Sequence, residues 1–316
     1  MPLVKISELS FEQIATRLGD GELCLAIGPF TYRVSSPLAA VARAVHYLYW
    51  DYDLVDDPEF ADFRIYLQPA RGLRRFLKSS VRLIVDGDEW QCLPPQLAPA
   101  YLEWGLNWCI FRRAHHLLIA HAAVLEREGK AVVLPAESGS GKSTLAAALM
   151  HRGWRLLSDE LTLLCPQTGL LFPAVKPICL KGAAIEALRR FAPTAHLGPV
   201  YSDPRNRELL AHVRPRRSSV EAAAETAEAG LVVFPRFQSG AGAQLVPRAP
   251  AAGFMKFAQG CFNYTLLGEA AFDAVGRLID RCACHELVFG DLAAAVAAID
   301  RISPASPAPA AVGAAS

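Results

Sequence analysis

The chain has 316 residues, of which 52% are hydrophobic and 20% charged, with a formal net charge of +1. This is the composition of a globular protein able to bury one large core or two modest ones. A near-zero net charge gives no case for a nucleic-acid or membrane partner, and no apolar run reaches the length of a membrane span.

The opening stretch, MPLVKISELSFEQI, has no charged n-region and no long apolar h-region, so it does not read as a secretory signal. Residues 7–18 have helical spacing, with Ser10 as a cap, Gln13 three residues on, and Gly19 and Gly21 at the end. Two strands, 23–27 and 30–34, flank Gly28 and Pro29, and a helix is expected over 37–49. The acidic stretch Asp51, Asp53, Asp56, Asp57 runs into Pro58 and reads as a solvated loop rather than a metal site. Residues 63–67 alternate as a strand. Segments 81–85 and 89–93 flank Asp86-Gly87-Asp88, a hairpin signal. Residues 1–97 therefore read as a small β-rich α+β region of unknown role.

A helix is expected over 99–113, and its tryptophans, Trp104 and Trp108, read as core. Residues 115–130 read as strands with a turn at Glu128-Gly129. The next stretch is the most informative. Val132-Val133-Leu134-Pro135 reads as a buried strand, Ala136 to Gly141 as a glycine-containing turn, and Lys142 to Met150 as a helix. Strand, glycine turn and helix form a phosphate-binding loop: the turn aims backbone N–H groups at phosphate oxygens and the helix N-terminus adds partial positive charge. Ser138, Gly139, Ser140, Gly141, Lys142, Ser143 and Thr144 are the candidate nucleotide-binding residues. Lys142 suits the β- and γ-phosphates and the Ser143 hydroxyl suits Mg2+. Ala136 replaces the pattern's first glycine, which costs little if its φ is negative. An ordinary Gly/Ser turn is the bland alternative.

Gly153 ends the helix. A strand follows through Leu156-Leu157, with the acidic pair Asp159-Glu160 at its end, placed for a metal ion or a nucleophile. Further strands are expected at 169–172, 178–180 and 231–234, and helices at 183–191, 254–261 and 269–281. Residues 193–228 show little periodicity and contain the basic run Arg214-Pro215-Arg216-Arg217, which reads as a substrate-facing loop. Residues 287–292 lead into a final Ala-rich helix, and 304–316 form a low-complexity tail. The eight cysteines have neither disulfide-framework nor zinc spacing. Cys282, Cys284 and His285 make the one local cluster, and buried thiols in a reducing cytoplasm are the simplest reading.

Three blocks resemble the HPr kinase/phosphorylase family, and more closely the HPr-kinase-related kinase A proteins. They are His121-Ala122-Ala123-Val124-Leu125-Glu126-Arg127-Glu128-Gly129, then Glu137-Ser138-Gly139-Ser140-Gly141-Lys142-Ser143, then Arg152-Gly153-Trp154-Arg155-Leu156-Leu157-Ser158-Asp159-Glu160. The resemblance implies an α/β fold with a P-loop nucleotide-binding core of phosphoenolpyruvate-carboxykinase type over residues 98–303. It implies ATP- and Mg2+-dependent transfer of the γ-phosphoryl group to a hydroxyl, a serine of a protein or peptide partner. The rings that family members form imply a homo-oligomer. Asp159 stands where the family has its general base, His121 where it has an active-site histidine, and Glu160 where it has a metal-associated aspartate. Catalytic candidates are thus Asp159, His121 and Lys142, and metal candidates Ser143 and Glu160. No segment resembles the family's phosphorylase signature, so the reverse reaction is not expected.

Two other enzyme classes share such a loop. A small-molecule kinase would need an arginine-bearing lid. A transporter-type ATPase would need a Leu-Ser-Gly-Gly-Gln-like signature, which is absent, and an acidic strand end much further downstream than 17 residues after Lys142. A non-catalytic ATP-binding scaffold in a peptide-modification or polysaccharide-assembly system is the third alternative.

Overall fold

The computed structural model describes residues 4–55, 60–70, 80–137 and 139–302. The fold is mixed α/β with three sheets. The first holds β1 (Val4–Lys5), β2 (Leu23–Ile27), β3 (Phe30–Ser35), β4 (Asp53–Leu54), β5 (Phe63–Pro69), β6 (Val81–Val85) and β7 (Asp88–Leu93), in the order β1-β4-β2-β3-β5-β6-β7. Helices α1 (Phe11–Asp20), α2 (Ala39–Leu48) and α3 (Ala98–Arg113) bury its apolar face. The start of α1 is local chemistry: the Ser10 hydroxyl accepts from the Gln13 amide while the Gln13 side chain reaches back to the Ser10 amide. On α3, Leu102, Leu106 and Ile110 face the core, but Trp104 is 42% exposed. Of the tryptophans expected in the core, Trp108 is partly buried against it and Trp104 faces out. Asp56, Asp57, Ser138 and the tail lie outside the described residues.

The second sheet is built on two long strands, β8 (Leu118–Arg127) and β16 (Ala227–Phe237). Strand β9 (Lys130–Pro135) lies between them, antiparallel to β8 and parallel to β16. The β8–β9 hairpin turns at Glu128 and Gly129, both with positive φ, so residues 118–127 make one strand rather than two. On the other side of β8, β10 (Arg155–Ser158) pairs with its C-terminal half and β11 (Leu161–Leu164) with its N-terminal half. Strand β12 (Leu170–Phe172) links β11 back to β16. Strands β17 (Gln244–Pro247) and β18 (Ala283–Phe289) complete the far edge. Strand β17 is short and mostly exposed, so its sequence lacks the apolar alternation that marks a strand.

One face of this sheet is covered by α4 (Lys142–His151), α5 (Ala183–Phe191) and α10 (Leu292–Ile302). The other is covered by α7 (Pro250–Gln259), α8 (Tyr264–Leu267) and α9 (Glu269–Arg281). The third sheet, β13 (Ile178–Lys181), β15 (Leu209–Val213) and β14 (Tyr201–Ser202), packs beside α4. It corrects the reading of 193–228 as irregular: this segment contains two strands and the short helix α6 (Arg217–Glu221). Strand β14 has only two residues, and β15 takes a partner, β13, from outside the segment, so little local periodicity marks them. Among the described residues, no helix is long and apolar enough to cross a membrane, and no cysteine forms a disulfide; Cys92 lies on the surface.

Candidate active site

The sheet topology brings the chemistry to one edge. Strands β9 and β10 are both antiparallel to β8, so they run in the same direction and end side by side. From the end of β9 the chain enters the glycine turn and α4. From the end of β10 it enters Asp159 and Glu160. Strand β8 passes between them, and His121 lies one residue beyond the Ala122–Pro135 pair and opposite Leu161.

The turn requires glycine at two points. Gly139 and Gly141 have φ of +84° and +86°, a region that costs other residues free energy. At Gly141 packing adds a second constraint, because a Cβ would lie 2.9 Å from Phe289 Cζ and 3.0 Å from Phe237 Cβ. The Phe237 amide donates to Ser140 O at 2.8 Å and pins the turn to the end of β16. Ala136 is absent from the positive-φ residues, so alanine is tolerated there without left-handed strain. Gly141 is the helix N-cap and supplies no capping side chain, so among the described residues no side chain caps the start of α4.

Lys142 opens the helix and is buried. Its Nζ donates to Asp159 O at 2.8 Å and lies 3.6 Å from Glu160 Oε2. The same Oε2 is 3.1 Å from His121 Nε2. Lys142, Asp159, Glu160 and His121 therefore meet at one point; Ser143 and Thr144 follow in the first helical turn, both half-buried. Burial works to raise the Glu160 carboxyl pKa. The His121 hydrogen bond and the Lys142, His121 and Lys176 charges outweigh it and hold the carboxyl below the usual range. Asp159 behaves in the opposite way. It is buried, neither carboxylate oxygen has a hydrogen-bond partner, and burial raises its pKa against the pull of Lys142 and the nearby Ser143 hydroxyl. The hydroxyls of Ser140 and Ser158 are also buried without partners.

Such unpaired polar atoms beside an uncapped helix make a site for a ligand that brings its own donors or charge. The available donor set of one hydroxyl and two carboxylates is made of hard oxygens, as Mg2+ requires. Among the described residues, no group of three or more His, Cys, Asp or Glu side chains could hold a metal ion.

The acid pair also lines a cleft of about 910 Å3. The lining includes Lys176, whose role is not legible in the sequence. Lys176 is 8% exposed, its Nζ donates to Asn107 Oδ1 on α3, and it lies within electrostatic reach of Glu103, Asp159 and Glu160. Glu103 is buried too and accepts from the Tyr49 hydroxyl at 2.6 Å; burial pushes its carboxyl up to about 7 against the pull of Lys176. The cleft's other rim carries Asp203, Arg205, Asn206, Glu208 and His212. The segment 193–228 thus reaches the cleft through these residues and not through its basic run. Arg214 stacks on Tyr47, Arg216 donates to Met150 O, and Arg217 pairs with Glu221.

Residues 103–178 match the family described as SynChlorMet cassette protein ScmC. The matched stretch contains His121, the glycine turn, Lys142, Asp159, Glu160 and Lys176. No curated protein matches the chain. Among solved structures, the Hpr(Ser) kinase/phosphatase from Coxiella burnetii is similar at 17% identity over 39% of this chain, with a TM-score of 0.22. The match covers 66% of that protein's length.

Proposed function

We propose that the chain is an ATP- and Mg2+-dependent phosphotransferase that moves the γ-phosphoryl group to a hydroxyl, a serine of a protein or peptide. We further propose that it lacks phosphate-dependent reversal. One observation carries this reading: a buried lysine at the start of an uncapped helix meets an acidic pair whose first carboxylate is unpaired. The nucleotide phosphates bind against the turn amides and Lys142, which stabilise charge as it develops on the transferring group. The Ser143 hydroxyl and the Glu160 carboxylate would hold Mg2+, which neutralises charge on the β- and γ-oxygens when bound. Asp159 accepts the acceptor's hydroxyl proton at a carboxylate oxygen; its raised pKa makes it a better base than an exposed aspartate. His121 fixes the Glu160 carboxylate through Nε2.

The test is transfer from γ-labelled ATP into a lysate of the native host, comparing wild type with Asp159→Asn. The expected result is a labelled product that falls by a factor of about 10²–10⁴ in the variant. Equal labelling by both proteins would refute the assignment of Asp159. Absence of labelling despite tight ATP binding would refute the kinase reading and leave a nucleotide-binding scaffold.

A further inference from the structure

A continuous series of aromatic rings leads from the edge of the first sheet to the acid pair. Trp90 on β7 meets Trp104 and Trp108 on α3, with centroids 4.8 and 5.2 Å away, and the two α3 tryptophans stack at 5.5 Å. Trp108 meets Phe111 at 5.4 Å, Phe111 meets Phe262 at 5.4 Å, and Phe262 meets His121 at 6.0 Å. His121 in turn holds Glu160. All six rings line the cleft described above.

Trp90 and Trp108 rest against the core of the first sheet, while Trp104 is 42% and Phe262 47% exposed, so the series presents apolar surface at both ends of a cleft that also holds polar groups. The rings are also held in place. The Phe262 amide donates to Ile119 O at 2.8 Å. The next residue, Asn263, is 5% exposed and uses both ends of its amide on the same strand, accepting from Ile119 N at 2.9 Å and donating to Leu117 O at 2.8 Å. The Trp108 indole donates to Asp88 Oδ2 at 3.2 Å. A surface fixed before binding loses little entropy on binding.

The cleft's charge and size narrow the occupant. Its lining includes carboxylates on two sides, Glu160 in the floor and Asp203 and Glu208 on the rim, which repel a polyanion such as nucleic acid. Lys181 and Arg205 lie among them, so the polar rim is of mixed sign and suits a peptide backbone. A volume of about 910 Å3 lies near the top of the range for ligand sites, more than a single aromatic ring fills.

Building on the phosphotransferase reading, we infer that the acceptor is a peptide segment whose hydroxyl residue is flanked by an aromatic side chain. That side chain seats between Trp104 and Phe262, and the hydroxyl then faces Asp159. Trp104 and Phe262 are specificity residues in this scheme.

The test is direct binding without nucleotide. A short blocked peptide with serine beside tryptophan, and its counterpart with alanine in place of tryptophan, are titrated by calorimetry into wild type, Trp104→Ala, Phe262→Ser and Lys142→Met. The tryptophan peptide is expected to bind about tenfold or more tighter than the alanine peptide, as burial of one aromatic side chain implies. The preference should persist in Lys142→Met and vanish in Trp104→Ala and Phe262→Ser at unchanged melting temperature. Equal affinity for the two peptides, or no binding of either by wild type, would overturn the inference. So would N-acetyltyrosinamide binding as tightly as the peptide, which would indicate a small-molecule acceptor. Because Lys142→Met retains the cleft, peptide preference without phosphoryl transfer would refute the kinase reading alone. Transfer to both peptides with equal efficiency would refute the cleft's specificity alone.

Discussion

Alanine at Gly139 and at Gly141 tests the architecture of the turn, because the two positions differ in one respect. Both have left-handed φ, +84° and +86°, so each substitution costs about 1–2 kcal/mol of backbone strain. At Gly139 a Cβ would have no heavy atom within 4 Å, and the cost ends there. At Gly141 it would lie 2.9 Å from Phe289 Cζ and 3.0 Å from Phe237 Cβ. Phe289 is 1% exposed, and the Phe237 Cβ is fixed by a backbone whose amide anchors Ser140 O, so neither atom can retreat freely. Overpacking of this kind adds about 1–3 kcal/mol. Urea unfolding should therefore place Gly141→Ala about 1–3 kcal/mol below Gly139→Ala at an unchanged m-value. Gly141→Ala should also lose more affinity for Mg·ATP, because the relaxation that relieves the clash moves the amides at the start of α4. Equal stability of the two variants would refute the packing argument.

Two further predictions concern the buried charges around the cleft. Lys176→Met removes the buried cation whose charge pulls the Glu103 pKa down, so the variant loses stability where Glu103 is charged. A protonated Glu103 needs no cation. Its pKa is raised to about 7 in the folded state from an ordinary 4.5, so its contribution to stability is full below pH 4.5 and lost as pH rises through 7. The Lys176→Met deficit should accordingly be larger at pH 8 than at pH 5.5, and adding Glu103→Gln should reduce it at pH 8; a pH-independent deficit would contradict the coupling. His212 has the opposite dependence. Burial lowers its pKa from 6.5 to about 4, so it folds neutral. Its contribution is present above pH 6.5 and lost as pH falls toward 4, about 3 kcal/mol in full. His212→Gln should flatten that part of the acid-unfolding curve, and an unchanged curve would refute the assignment.

What could be read from the sequence was local. Ser10 and Gln13 cap α1 because both partners lie within one turn, and Gly28, Asp86-Gly87 and Glu128-Gly129 sit where chain reversal needs left-handed backbone. The glycine turn and the acidic pair could be identified as separate motifs. Their meeting depends on β8 pairing with β9, β10 and β11 at once, a register that no single segment encodes. Lys176 has no role legible in the sequence, because its partner Asn107 is 69 residues away. On α3, Trp108 packs against the core and Trp104 does not, a difference that aromatic residues alone do not reveal. Strand β15 is hard to read because its partner β13 lies across a long connection, and β14 because it has only two residues, paired locally with β15.

Mg·ATP binding measured by calorimetry on wild type and Lys142→Met tests the nucleotide site most directly. Lys142 is 5% exposed and lies at the junction of α4 and the acid pair, so removing its cation should affect nucleotide phosphates before anything else. The account predicts one Mg2+-dependent site in wild type and an affinity lower by about 10²-fold or more in Lys142→Met, in line with the loss of a preorganised charge. Undiminished affinity in Lys142→Met, or no nucleotide binding by wild type, would contradict it.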